Sequence, residues 1–231
     1  MAVRPLTFLR QWRDDLGPAL LRDIVLVNLA ICLVGISYGA ITVGEGLPVW
    51  LPNVMSVVVL AGASQFLFTG IIATGGGVVA AVLAGILVNL RHLPFGFALA
   101  DTVRERPLLG SYLMIDEVVA FSLAQKEAEV RRKVFFTCGF LLLFFWNLGS
   151  LLGALLGQAI TDTEVFGLDA AFPAVLLALV MPALREASTL GIAVLGAAIA
   201  LALTPFLPAG TAVLCALLAL VAARPWRAEP P

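Results

Sequence analysis

The sequence predicts an all-α, polytopic helical membrane protein of seven or eight transmembrane helices, some of them broken or interrupted by polar residues. Three observations carry that prediction. Of the 231 residues, 61% are hydrophobic and 13% charged, with a mean hydropathy of +1.04, which is more apolar surface than a soluble fold can hide. Apolar windows long enough to cross a hydrocarbon layer of about 30 Å recur along the chain. The basic residues are gathered into short segments at the window ends, where they report orientation. The net charge of -1 and the lack of a continuous basic patch exclude a nucleic-acid partner. No P-loop, Gly-x-Ser-x-Gly turn or paired-histidine spacing occurs, and the chain has a single histidine. The expectation is a protein that is not an enzyme, with no cofactor and no metal site.

Residues 1–22 carry Arg4, Arg10, Arg13 and Arg22 among Leu, Phe and Trp, a pattern for an amphipathic helix on the cytoplasmic membrane surface. They hold no long apolar stretch, so Ile24–Val43 is read as a retained span and not a leader. A transmembrane domain then covers 23–223, and 224–231 is a short tail. The apolar windows are 24–43, 50–74, 78–100, 108–125, 134–158, 168–184, 188–207 and 209–223. The fourth is the weakest, because Ser111, Tyr112, Asp116, Glu117 and Ser122 interrupt it. Eight spans put the N-terminal cluster, Lys126 with Arg131, Arg132 and Lys133, and the tail with Arg224 and Arg227 in the cytoplasm. Glu45 and the Asp162/Glu164 loop then lie outside, and so do Arg104 and Arg106, offset by Asp101 and Glu105. Gly46, Leu47 and Pro52 return as Gly167, Leu168 and Pro173, a candidate internal repeat. Its copies are parallel if the fourth segment crosses and inverted if it only dips into the membrane. Cys32, Cys138 and Cys215 lie far apart in apolar runs, as small buried side chains do.

Three polar constellations interrupt these windows. Ala61-Gly62-Ala63-Ser64-Gln65-Phe66 combines small residues, which admit a neighbouring helix or a ligand, with a carboxamide. A packing interface with one interhelical hydrogen bond is the alternative reading. Asn89, Arg91 and His92 precede Pro94 and Gly96; the proline frees the carbonyl of Leu90, so the helix should bend or break there. Arg91 lies roughly 20 Å into its window, where a charge costs at least about 2.5 to 3.5 kcal/mol and needs water or a partner. It either serves a ligand or pairs with an acid to fix packing. Asp116 and Glu117 point about 100° apart on a helix, so they should have different roles. One can pair with Arg91 while the other binds a proton or an ammonium group; both are merely solvated if the segment is interfacial. Asn147 and Asp169 are lesser candidates, as caps or packing contacts.

In order and spacing, Ala61-Gly62-Ala63-Ser64-Gln65-Phe66, Val88-Asn89-Leu90-Arg91-His92-Leu93-Pro94-Phe95-Gly96 and Asp116-Glu117-Val118-Val119-Ala120 resemble the AzlC family of branched-chain amino acid permeases. The likeness runs from about Ile36 to Ala183, takes in Gly167-Leu168-Asp169-Ala170-Ala171-Phe172-Pro173-Ala174, and becomes generic in the last two windows. Phe95 stands where many relatives have tyrosine, so no phenol acts there. The resemblance implies a secondary-active exporter of valine, leucine and isoleucine in the bacterial cytoplasmic membrane. It also implies a small AzlD-type membrane subunit as partner and an ion or proton gradient as the driving force. On that reading Arg91 or a broken-helix N-terminus meets the substrate carboxylate, and Asp116 or Glu117 meets the ammonium or carries the coupling proton. Gly62 and Ala63 leave room for substrate, Ser64, Gln65 and Asn89 line it with hydrogen-bonding groups, and His92 is a second candidate for proton coupling. The alternatives are a scaffold subunit without transport of its own, or a channel or transporter for another small zwitterion.

Overall fold

The computed structural model describes residues 16–159, 177, 181, 183–207 and 215–222. Every regular element among them is helical. The chain divides into two compact units, one of residues 1–62 and 90–161, the other of 63–89 and 162–231. Three helical segments, Pro18–Gly44, Val78–Ala98 and Ala128–Ala159, are long and apolar enough to cross a membrane, and Gly62–Ala73 and Ala187–Leu203 are shorter apolar helices.

The first unit is built on two long helices, α1 (Pro18–Gly44) and α9 (Ala128–Ala159). Pro18 opens α1, where its missing N–H costs nothing. Gly46, at a φ of 80°, closes it by donating back to Val43 O while Leu47 donates to Thr42 O. The two helices touch backbone to backbone. A Cβ added at Gly39 would lie 2.6 Å from Ala154 N, one at Gly157 would lie 2.9 Å from Ala40 O, and ones at Gly149 and Gly153 would collide with the carbonyls of Cys32 and Ile36. The small-residue spacings Gly35/Gly39 and Gly149/Gly153/Gly157 permit this approach. Asn28 meets Cys138, Gly35 meets Ser150 and Ala40 meets Gly157, so residue numbers rise together and the helices run parallel. Arg22 and the Arg131, Arg132, Lys133 cluster therefore sit at the same end of this pair.

The second apolar window is not one helix. It divides into α2 (Leu51–Val58) and α3 (Gly62–Ala73), separated at Val59, Leu60 and Ala61. Leu60 takes a φ of 42°, a left-handed conformation costing about 1 to 2 kcal/mol in a non-glycine residue, and is held there by complete burial. α2 packs against α9 with reversed sense: Ser56 Oγ bonds Ser150 Oγ at 2.8 Å, while Gly62 lies against the ring of Trp146.

The interruption expected before Pro94 is present. Helix α4 (Val78–Asn89) ends, Leu90 and Arg91 form a turn, and α5 (His92–Ala98) resumes with Leu93 N donating to Leu90 O at 3.0 Å.

The fourth window departs from a continuous span. After α6 (Ala100–Val103) it forms α7 (Pro107–Tyr112) and α8 (Asp116–Leu123), joined by a turn at Leu113–Ile115. Its two ends meet, since Arg132 forms a two-pronged ion pair with Glu105, with one arm at 2.6 Å. Glu105 and Arg132, which eight spans would put on opposite faces, are thus 27 positions apart in sequence and joined in space.

In the second unit α3 and α4 form an antiparallel hairpin, with Gly76 N donating to Ile71 O at 2.7 Å in its turn and Ile71, Ala81 and Ala84 in its core. The remaining described helices are a 3-10 turn at Ala183–Arg185, α10 (Ala187–Leu203) and α11 (Leu218–Ala222), with Gly196 close to the Ala216 carbonyl. The window 168–184 falls mostly outside the described residues, as do the second copy of the repeat, Asp162, Glu164, Asp169, Arg4, Arg10, Arg13, Arg224 and Arg227.

Candidate functional site

The chemistry in the first unit gathers around one ion pair. Asp116 and Glu117 form the first turn of α8, after Ile115 in extended conformation, where the helix dipole and free N–H groups favour acids. Arg91 lies in the turn between α4 and α5, and its guanidinium reaches Asp116 Oδ2 at 2.9 Å. The two side chains are 42% and 39% exposed. Glu117 is half-buried and within electrostatic reach of Arg91, Asp116 and the buried Cys138. The adjacent acids thus have different surroundings, one engaged by arginine and one turned toward the helix pair. His92 opens α5 beside Arg91, with its ring edge-on to Phe95 at 5.8 Å.

Gly62 belongs to the same unit. A Cβ there would lie 3.0 Å from the Trp146 ring, so the room it leaves is filled by that indole. Trp146 in turn stacks on Tyr38 at 5.8 Å. At the break after α2, the Tyr112 hydroxyl donates to Val57 O at 2.5 Å, giving a partner to a carbonyl that the interrupted helix no longer uses.

The other predicted residues fall in the second unit. Ala63, Ser64 and Gln65 lie in the first turn of α3, with Ser64 and Gln65 buried. Asn89 Nδ2 donates to Ser64 Oγ at 3.3 Å, and Gly85 lets the helices approach beside Ser64. The structure thus brings together Arg91, Asp116 and Glu117 in one unit and Ser64 and Asn89 in the other. The division of the chain runs through both motifs, after Gly62 and after Asn89.

Asn28 escaped the sequence reading. It is completely buried, donates to Ile24 O at 2.8 Å and to Cys138 Sγ at 3.9 Å, and its carboxamide oxygen finds no donor among the described residues. A carboxamide in an otherwise apolar window was the available signal. Asn147 bonds the Leu143 carbonyl of its own helix at 2.8 Å, a packing contact, and Asp169 lies outside the described residues. Among the described residues no group of His, Cys, Asp and Glu could hold a metal ion.

The family model described as AzlC protein matches residues 27–160. Two proteins from different strains of Helicobacter pylori, each described as an uncharacterized membrane protein, are similar to the chain. One is 26% identical, covering 68% of this chain and 71% of the relative, and the other 25% identical, covering 76% and 79%. No solved structure matches.

Proposed function

Because the chain belongs to the AzlC family, we propose that it is a secondary-active transporter that exports branched-chain amino acids across the bacterial cytoplasmic membrane. On this reading residues 23–223 are the transporter domain, both termini are cytoplasmic, a small AzlD-type subunit is the partner, and an ion or proton gradient supplies the energy. The observation that supports it most is the open Arg91–Asp116 pair. A charge pair at membrane depth that is not enclosed needs water or a polar ligand, and a zwitterionic amino acid carries the two charges that match it. The substrate carboxylate competes with Asp116 for the Arg91 guanidinium, and the released Asp116 carboxylate receives the substrate ammonium. Exchange of one internal pair for two substrate pairs keeps charge balanced through the cycle, which limits the desolvation penalty. Glu117 or His92 carries the coupling proton. Ser64, Gln65 and Asn89 contribute hydrogen bonds along the path, Ala63 keeps the start of α3 slim, and Gly62 acts by admitting Trp146.

Purified protein in liposomes, with and without the small subunit, tests the reading. Gradient-dependent flux of valine, leucine or isoleucine is expected, and it should fall about tenfold or more, equivalent to about 1.4 kcal/mol or more, in Asp116→Asn or Glu117→Gln. Full transport by both single variants removes the acids from the mechanism. No flux under either condition leaves the scaffold reading, and flux that neither saturates nor couples to a gradient leaves a channel.

A further inference from the structure

We infer that residues 104–132 form a re-entrant hairpin, entering and leaving the bilayer on the cytoplasmic face and lifting Asp116 and Glu117 to mid-depth. The first argument is length. α7 and α8 have 6 and 8 residues, about 9 and 12 Å of helix against a hydrocarbon layer of about 30 Å. Neither arm can cross, and each is long enough to reach toward the middle.

The second argument is anchoring at both ends. At the base, Arg132 holds Glu105, and Arg131 donates from Nε and a terminal nitrogen to Gln125 O at 3.1 and 2.9 Å. At the tip, Leu113 is completely buried against Gly139, and the neighbouring Tyr112 hydroxyl reaches Val57 O at the break after α2. Gly139 lies 7 positions beyond Arg132 in α9, about 11 Å along its axis against a half-thickness of about 15 Å. Tip and base are therefore separated by a large part of the membrane half-thickness, and the tip coincides with a broken helix whose carbonyl needs a donor. Irregular backbone at this depth is tolerated where protein encloses it, and Leu60 and Ala61 at the break and Leu113 and Met114 at the tip are buried.

The face follows from the parallel long helices. Arg22 at the start of α1 and Arg131, Arg132 and Lys133 at the start of α9 share one end, and the hairpin base adds Arg104, Arg106 and Lys126 to it. Concentration of the basic residues on one face marks it as cytoplasmic. α1 ends on the opposite side at Glu45. Residues 51–62 descend along α9 from the level of Ser150 to that of Trp146, and residues 91–105 continue from Asp116 to Arg132. In net terms the chain crosses once between Glu45 and Arg104, by the half-helices α2 and α5. This path does not depend on which solute is carried.

Single cysteines at Glu45, Arg104 and Lys126, in a background with Cys32, Cys138 and Cys215 changed to alanine, test it with a membrane-impermeant maleimide. Arg104→Cys and Lys126→Cys should label in inverted vesicles and stay protected in intact cells, with Glu45→Cys showing the reverse. Labelling of positions 104 and 126 from opposite faces, or of both from outside, overturns the proposal. Should the cysteine-free background fail to accumulate, a short bis-maleimide, which spans the length of an arginine–glutamate pair, applied to Glu105→Cys/Arg132→Cys in the chain with its natural cysteines gives an independent reading. An intramolecular crosslink is expected, and its absence in membranes counts against the hairpin.

Discussion

The α1–α9 pair and the Arg91–Asp116 region belong to the same compact unit but are built on opposite rules. In the helix pair, glycines remove the side chains and two backbones touch, so contact is made by atoms that cannot move without moving a helix. Around the ion pair, helices of 4 to 8 residues are joined by turns, and the charged groups stay about two-fifths exposed. The contrast separates a frame that has one arrangement from a polar cluster whose contacts can be exchanged. Buried packing tolerates no added volume, whereas a half-open ion pair can give up one partner for another.

Breaking the frame should have the largest effect. A leucine at Gly153 would drive a side chain into the Ile36 carbonyl and toward Ala40 N, 2.9 Å from even an added Cβ. Overpacking against backbone costs about 1 to 3 kcal/mol and occasionally more, and Gly153→Leu is expected at or beyond the top of that range. Loss of monodisperse protein after detergent extraction is the readout, with Gly153→Ala intermediate. At the polar cluster the order reverses: Asp116→Asn should abolish most transport while lowering the melting temperature less than Gly153→Ala does. A melting shift as large as that of the glycine variant would mean that the ion pair is part of the frame. The smallest effect is expected at the hairpin base. The hydrogen bond from Arg132, followed by its charge, holds the Glu105 carboxyl below the ordinary carboxylate range. The folded state gains from that carboxylate above its unfolded value of about 4.3 and loses the gain as pH falls through the lower folded value. Glu105→Gln should therefore lower the melting temperature slightly at neutral pH and leave it unchanged once the natural carboxylate is protonated.

Much of this division could be read from residue order, though not all by the same means. Windows 24–43 and 134–158 became α1 and α9 because their apolar runs are long and free of charge and proline. Their pairing was equally written in Gly35, Gly39, Gly149, Gly153 and Gly157, but small residues at intervals of four are common, and spacing alone does not choose a partner. Pro94 located the turn at Leu90 and Arg91, since a missing donor has a definite position. The break after α2 has no proline to announce it. Val57, Val58, Val59 and Leu60 look continuous, and what interrupts them is tertiary: a buried Leu60 with positive φ and a tyrosine hydroxyl from 55 positions away. The acids of the fourth window marked it as weak, but only the reach of Arg132 to Glu105 shows that it turns back. At the site, Arg91 with Asp116 was among the pairings that charge and depth allowed. Gly62 was not legible as a seat for Trp146, because the indole comes from a helix far along the chain.

The parallel α1–α9 contact also sets a schedule for biosynthesis. Asn28 and Cys138 are 110 positions apart, so at about 5 to 20 residues per second the first helix waits roughly 5 to 20 s before its partner leaves the ribosome. Throughout that interval Gly35, Gly39 and the polar Asn28 lie bare in lipid or against whatever assists insertion. Of the two helices, the one made first is completed only when the second arrives.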